Sequence, residues 1–186
     1  MNIPNGLSFL RICAVPIFIW LLLNREMQWA FWLFVLASLT DALDGFIAKR
    51  FNMHTELGAY LDPLADKLLL VCGFIVLTVL GDIPLWITLL VTTRDIMIIG
   101  GALLYQVMTN SLRMQPMWMS KVNTTMQIIL LGVVMLSLEV VPVAILVAPL
   151  TIMVAVTTLI SGWQYVNVWT RQVVRREELK SATDDS

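Results

Sequence analysis

The chain has 186 residues, 59% of them hydrophobic and 13% charged, with a formal net charge of −1 and a mean hydropathy of +0.83. That combination belongs to integral membrane proteins, and the near-zero charge excludes bulk attraction to nucleic acid. Cys13 and Cys72 lie in apolar runs without metal or redox spacing, and the single His54 sits in a short polar stretch, which argues against thiolate or histidine metal chemistry.

A membrane-crossing helix needs about 20 mostly apolar residues, and six segments reach that length. The first, Leu7–Leu23, lacks a basic leader, is interrupted by Arg11 and is followed by no small-residue cleavage site. It is therefore expected to be a retained span rather than a signal peptide. The others are Trp29–Lys49, Ala59–Leu80, Pro84–Val107, Trp118–Leu138 and Pro142–Thr170, joined by the short polar or breaker-rich stretches "NREMQ", "RFNMHTELG", "GDI", "MTNSLRMQP" and "EVV". The expected fold is an all-α integral membrane protein: six transmembrane helices around an inward-facing polar cavity, forming one domain over residues 1–170. The polar tail, 171–186, is expected to extend the last helix briefly and then fray.

Six spans put both termini on one side. With a cytoplasmic N-terminus, Lys49, Arg50, Arg113, Lys121, Arg171, Arg175, Arg176 and Lys180 fall on or near the cytoplasmic face, and Arg25 falls outside. This bias follows the positive-inside rule. Trp20, Trp29, Trp32 and Trp86 then lie toward the outer interface, and Trp118, Trp163, Tyr165 and Trp169 toward the inner one, as two aromatic belts. Packing between helices is the alternative role for some of them.

The inner ends of the second and third helices carry the chemistry. Asp41 and Asp44 are spaced i, i+3; Asp62 and Asp66 are spaced i, i+4. Each spacing puts a pair on one helix face, and the short connector makes the two helices antiparallel neighbours. A single Asp at bilayer depth costs about 2.5–3.5 kcal/mol, and four would also repel one another. Lys49, Arg50 and Lys67 can snorkel to the interface, so a divalent cation is the better compensator. Oxygen-only ligation favours Mg²⁺, with Mn²⁺ also compatible, over Zn²⁺. Two such ions can clamp a phosphoryl centre. Gly45 and Gly58 would let a ligand approach the backbone or would serve tight helix packing. An ion-pair cluster with the neighbouring Lys and Arg is the structural alternative for the carboxylates.

This stretch resembles the signature of the CDP-alcohol phosphatidyltransferases, D-x2-D-G-x2-A-R-x8-G-x3-D-x3-D. It matches at Asp41, Asp44, Gly45, Ala48, Gly58, Asp62 and Asp66 with every gap kept. Lys49 stands where the family usually has Arg; lysine keeps the charge without the planar fork. The resemblance implies transfer of a phosphatidyl group from CDP-diacylglycerol to an alcohol with release of CMP. It implies that Asp41, Asp44 and Asp62 hold the metals, with Asp66 at their edge and also acting as general base. Gly45, Ala48, Lys49 and Gly58 would line the CDP site. Asn5, Ser8 and Arg11 follow the family's N-x2-T-x2-R pattern, with Ser8 for Thr, and would help bind the donor; snorkelling is the alternative for Arg11.

The acceptor is expected to meet the fourth and fifth helices at Arg94, Arg113, Lys121 and Asn123. Asn123 and Gln127 share one helix face, as do Lys121 and Thr124; helix-to-helix glue and a structural Arg94–Asp95 pair are the alternatives. "TRDI", "SKVNTTMQ" and "SGWQYV" look like the CMP-forming cardiolipin synthases, which use phosphatidylglycerol. The alternative is a phosphatidylglycerophosphate synthase acting on glycerol 3-phosphate; its "RE…LR" pattern is absent here, Asp95 replacing the Glu. Two rivals from other classes are a membrane prenyltransferase, which usually has separated Asp motifs, and a cation carrier using the Asp cluster. Family members are commonly homodimers, and Gly100 and Gly101 permit close helix approach. The expected location is a bacterial-type inner membrane, multi-pass, with the site and both termini facing the cytoplasm.

Overall fold

A computed structural model describes the backbone of residues 3–51, 56–109, 118–139 and 141–184, and the side chains of 10–40, 67–101, 118–139 and 143–168. It contains six α-helices: α1 (Ile3–Leu23), α2 (Met27–Phe51), α3 (Glu56–Val79), α4 (Leu85–Thr109), α5 (Trp118–Glu139) and α6 (Val147–Asp184). Each corresponds to one of the six apolar segments, in order.

Two departures concern the last helix. A 3₁₀ stretch, Val141–Leu146, precedes it. Pro149 then falls in the first turn of α6, the part of a helix that tolerates a missing N–H. At the other end α6 does not stop soon after Thr170 but runs to Asp184. "RQVVRREELK" is rich in strong helix formers, and Glu177 and Lys180 stand at i, i+3. At 1.5 Å per residue its 38 residues extend about 57 Å, well beyond a hydrocarbon core of about 30 Å.

The helices neighbour one another in a ring, α1–α2–α5–α6–α4–α3 and back to α1, with α3 and α5 also touching across it and α1 packing most extensively on α3. The core is apolar and closely filled: Phe18 and Leu22 from α1, Phe34 from α2, Phe74 and Leu77 from α3, and Leu130, Leu131 and Met135 from α5 are all buried. The rings of Phe18 and Phe34 stack with centroids 5.8 Å apart. Gly73 sets the spacing in the middle, because a Cβ there would lie 3.2 Å from Phe18 and 3.3 Å from Leu131. That contact brings α1, α3 and α5 together through one residue without a side chain.

α1 and α3 stop in the same way. Gly81, at φ 86°, donates its N–H to Thr78 O, and Asp82 N–H reaches back to Leu77 O. Arg25, at φ 61°, donates to Leu22 O, and Glu26 N–H to Leu21 O. Both are Schellman caps. Arg25 then bonds Asp82 at 2.6 Å and Leu80 O at 2.9 Å. The C-termini of α1 and α3 therefore lie side by side, and the two helices run parallel.

Much of the outside is apolar. Leu36, Ile75, Leu89, Ile152 and Leu159 are among many large side chains left exposed, as are Trp20, Trp29, Trp32, Trp86, Trp118 and Trp163. A surface of that kind suits lipid, not water, and these tryptophans lie on it rather than between helices. Among the described residues two stretches are long and apolar enough to cross a membrane, Trp118–Glu139 and Val143–Val168, with mean hydropathies of 1.5 and 2.5. A groove of about 490 Å³ opens between α2 and α5, walled by Phe34, Leu39, Ile128 and Leu136, and it is apolar. The polar cavity expected near the inner ends of α2 and α3 falls outside the described side chains.

Candidate active site

The Asp motif lies on helix at both of its halves. Asp41 and Asp44 belong to α2 and Asp62 and Asp66 to α3, so the i, i+3 and i, i+4 spacings translate into two same-face pairs. α2 and α3 also touch each other. The side chains of Asp41, Asp44, Gly45, Ala48, Lys49, Gly58, Asp62 and Asp66, and those of Asn5 and Ser8, lie outside the described residues, as does Arg113 altogether. Among the described residues no group of three or more His, Cys, Asp or Glu could hold a metal.

What surrounds the motif is defined. Arg11 is 3% exposed and is engaged rather than free. It shares the buried face of α1 with Val15, Phe18 and Leu22. Counting two turns back from the Gly73–Phe18–Leu131 contact gives Asp66 on α3, Arg11 on α1 and Thr124 on α5. Seven residues rise about 10 Å in each helix. Arg11, Asp66 and the Asn123–Thr124 turn thus occupy one level of the bundle.

Beside this level lies a buried polar cluster. Asp95, 3% exposed, receives Lys67 Nζ of α3 on one oxygen at 2.6 Å and Arg94 on the other at 2.7 Å. Arg94, 5% exposed, donates its other terminal nitrogen to Ser120 of α5 at 2.9 Å and to Ser161 of α6. Its guanidinium carbon stands 5.9 Å from the centre of the Tyr165 ring, within cation–π range. One carboxylate and one guanidinium thereby link four helices. Burying charge at such depth is tolerable only with this degree of pairing.

The acceptor-side residues separate into two kinds. The terminal nitrogens of Arg94 bond groups inside the cluster, while its Nε has no protein partner. Lys121 is exposed. Asn123 is fully buried; its Oδ1 accepts from Thr157 and Thr158 of α6, both at 2.9 Å, while its Nδ2 has no protein partner. One turn outward, Gln127 is also fully buried, and neither end of its amide has a partner. The structure brings Arg94, Ser120 and Asn123 to one corner of the bundle and leaves Lys121 on its rim.

Lys67, Ser120, Ser161 and Tyr165 were not among the expected site residues. The signal for them was weak: an Asp95 in an apolar run demands a cation, but nothing local says that Lys67, 28 residues away, supplies it.

Sequence comparison with known proteins gives the family. The sequence profile of the CDP-alcohol phosphatidyltransferases matches residues 1–169. A probable phosphatidylglycerophosphate synthase of Mycobacterium tuberculosis is 34% identical over 173 residues, 89% of this chain and 80% of that protein. The human cardiolipin synthase (CMP-forming) is 36% identical over 147 residues, 70% of this chain and 49% of that protein. A Rickettsia bellii CDP-diacylglycerol–glycerol-3-phosphate 3-phosphatidyltransferase is 40% identical over 102 residues, 53% of this chain and 56% of that protein. With the match spanning all six helices and the whole Asp motif, the chain belongs to the CDP-alcohol phosphatidyltransferase family of membrane enzymes.

Proposed function

We propose that this enzyme of phospholipid synthesis transfers the phosphatidyl group of CDP-diacylglycerol to the free glycerol hydroxyl of phosphatidylglycerol, yielding cardiolipin and CMP. The acceptor oxygen forms a bond to the phosphatidyl phosphorus, and the bond from that phosphorus to the CMP oxygen breaks. The hydroxyl proton passes to Asp66, which acts as general base. Asp41, Asp44, Asp62 and Asp66 would hold divalent ions, Mg²⁺ by preference, which would supply neutralisation of the charge on the diphosphate and the leaving CMP. Asn5, Ser8, Arg11, Gly45, Ala48, Lys49 and Gly58 bind the donor.

The choice of acceptor rests on one observation. On α4 and α5 the buried polar atoms without a protein partner belong mostly to neutral groups, the amides of Asn123 and Gln127 and the hydroxyl of Thr92; Arg94 keeps its Nε unpartnered, but its terminal nitrogens bond other protein groups. Neutral amides suit a polyol hydroxyl; a phosphate monoester calls for several free cations. Arg94 contributes by holding Ser120, next to Lys121, in place. A second reading, glycerol 3-phosphate as acceptor, is favoured by the coverage of the M. tuberculosis relative and would recruit Lys121 and Arg113. Membership of a transferase family leaves the carrier and prenyltransferase alternatives without support.

The proposed setting is a bacterial-type inner membrane crossed six times, with both termini and the site on the cytoplasmic side. Homodimerisation is part of the proposal. A Cβ at Gly100 would meet nothing within 4 Å in the monomer, so that surface is open to a second copy.

The test uses purified protein in detergent with Mg²⁺ and CDP-diacylglycerol, offered phosphatidylglycerol and glycerol 3-phosphate in parallel. Cardiolipin and CMP are expected from the first alone. Product from the second alone would establish the other acceptor.

A further inference from the structure

We propose that Asp95 is a positioning residue: by holding Lys67 it fixes the rotation of α3 and hence the aim of the Asp62–Asp66 turn. This rests on the reading of Asp66 as the base and of the Asp motif as the metal site.

Among the described side chains two polar links join α3 to α4. One is Thr78–Thr88, hydroxyl to hydroxyl at 2.6 Å, in the outer half. The other is Lys67–Asp95, at 2.6 Å, in the inner half. Lys67 follows Asp66 directly, so its grip acts one residue, about 100° of helix turn, from the proposed base. Asp95 is itself anchored. Its second oxygen holds Arg94, and Arg94 is held in turn by Ser120 and Ser161. The anchor therefore reaches α5 and α6, the helices that carry the acceptor wall.

The lever is short and the tolerance small. A helix with its side chains has a radius of about 5–6 Å, so a 10° rotation of α3 moves a carboxylate by about 1 Å. Misplacement on that scale costs on the order of 100-fold in rate. Releasing Lys67 also leaves two cations, Lys67 and Arg94, near one another with no carboxylate between them. Their repulsion pushes α3 away from α4.

The test compares Asp95→Asn, Lys67→Met, Asp95→Glu and Ser161→Ala. For each, kcat per folded molecule and the Mg²⁺ concentration for half-maximal activity are measured, with the folded fraction taken from gel filtration and thermal unfolding in detergent. Asp95→Asn and Lys67→Met are expected to lower kcat at least tenfold and to raise the Mg²⁺ requirement at least threefold. Asp95→Glu should recover part of both, and Ser161→Ala, which leaves Lys67–Asp95 and the Arg94–Ser120 anchor intact, should stay within about threefold of the parent. If Asp95→Asn does not fold, Lys67→Met decides alone, because losing its partly exposed head disturbs the bundle less. Folded Asp95→Asn or Lys67→Met with parental kcat and Mg²⁺ dependence would overturn the proposal, as would an equal loss in Ser161→Ala. A parent enzyme that works without divalent metal, or an Asp66→Asn enzyme that turns over normally, would instead refute the underlying functional reading.

Discussion

Arg25 and Asp82 join the α1–α2 turn to the α3–α4 turn through a 2.6 Å ion pair, although 57 residues separate them. Arg25 makes the bond from a left-handed conformation, φ 61°, which costs a non-glycine residue about 1–2 kcal/mol. It is half exposed, so its pairing is screened and contributes no more than about 1 kcal/mol. The two terms nearly cancel in Arg25→Gly, which removes both. Arg25→Gly is therefore expected to unfold within a few degrees of the parent, while Arg25→Ala, which keeps the strain and loses the pair, unfolds earlier. Thermal unfolding of both in the same detergent checks the order.

Gly73 gives the sharper packing test. An added methyl would sit 3.2 Å from Phe18 and 3.3 Å from Leu131, a distance that those neighbours can relieve by moving a few tenths of an ångström. Gly73→Ala sets an overpacking cost of about 1 kcal/mol against a helix-propensity gain of about 1 kcal/mol, so it is expected to unfold within a few degrees of the parent. Gly73→Leu would have to separate α1 or α5 from α3 and should give little folded protein. Gel-filtration yield and unfolding temperature distinguish the two outcomes.

These tests fall on features that differ in how far the sequence discloses them. The six helices were legible because each is a long apolar run bounded by breakers, and the Asp motif because its spacing is set by helical period. Gly81 was readable as a terminator, since glycine supplies positive φ; the identical role of Arg25 was not, since arginine seldom adopts it. The helical tail was missed because a polar stretch of good helix formers resembles a fraying end until α6 is seen to pass through it. The links from Lys67 to Asp95 and from Arg94 to Ser161 span 28 and 67 residues, and no local pattern encodes a contact at such separation. Arg94 looked like a substrate ligand for that reason; the structure shows its terminal nitrogens occupied by other protein groups.

Metal dependence tests the centre of the proposed chemistry. Chelation of divalent cations is expected to abolish CMP release, with Mg²⁺ restoring it and Mn²⁺ substituting at least in part. Zn²⁺ should not rescue, because the four proposed ligands are carboxylates without His or Cys. Activity unaffected by chelator would remove the reason for grouping Asp41, Asp44, Asp62 and Asp66 into one site.

Asp66→Asn separates binding from chemistry. The amide is nearly the same size but cannot accept the acceptor's proton, so turnover should fall by at least the 100-fold typical of losing a general base. Donor binding should change much less, because Asp41, Asp44 and Asp62 remain for the metals. Equilibrium binding of CDP-diacylglycerol alongside kcat separates the two effects. Turnover near that of the parent would assign the proton to another group.

Gln127 carries the last expectation, and it links stability to specificity. A fully buried amide with neither end bonded to protein costs about 1–3 kcal/mol unless an ordered water or a substrate group bonds to it. Gln127→Leu replaces the amide with an apolar side chain that suits neighbours such as Leu130 and Leu131. The variant should therefore unfold at the same temperature as the parent or a higher one. At the same time kcat/KM for phosphatidylglycerol should drop at least tenfold, since the acceptor's glycerol loses a partner, while donor binding stays unchanged. A variant that gains stability and keeps full activity would mark Gln127 as a core group satisfied by water, and the acceptor wall would then have to be sought at Lys121 and Arg113.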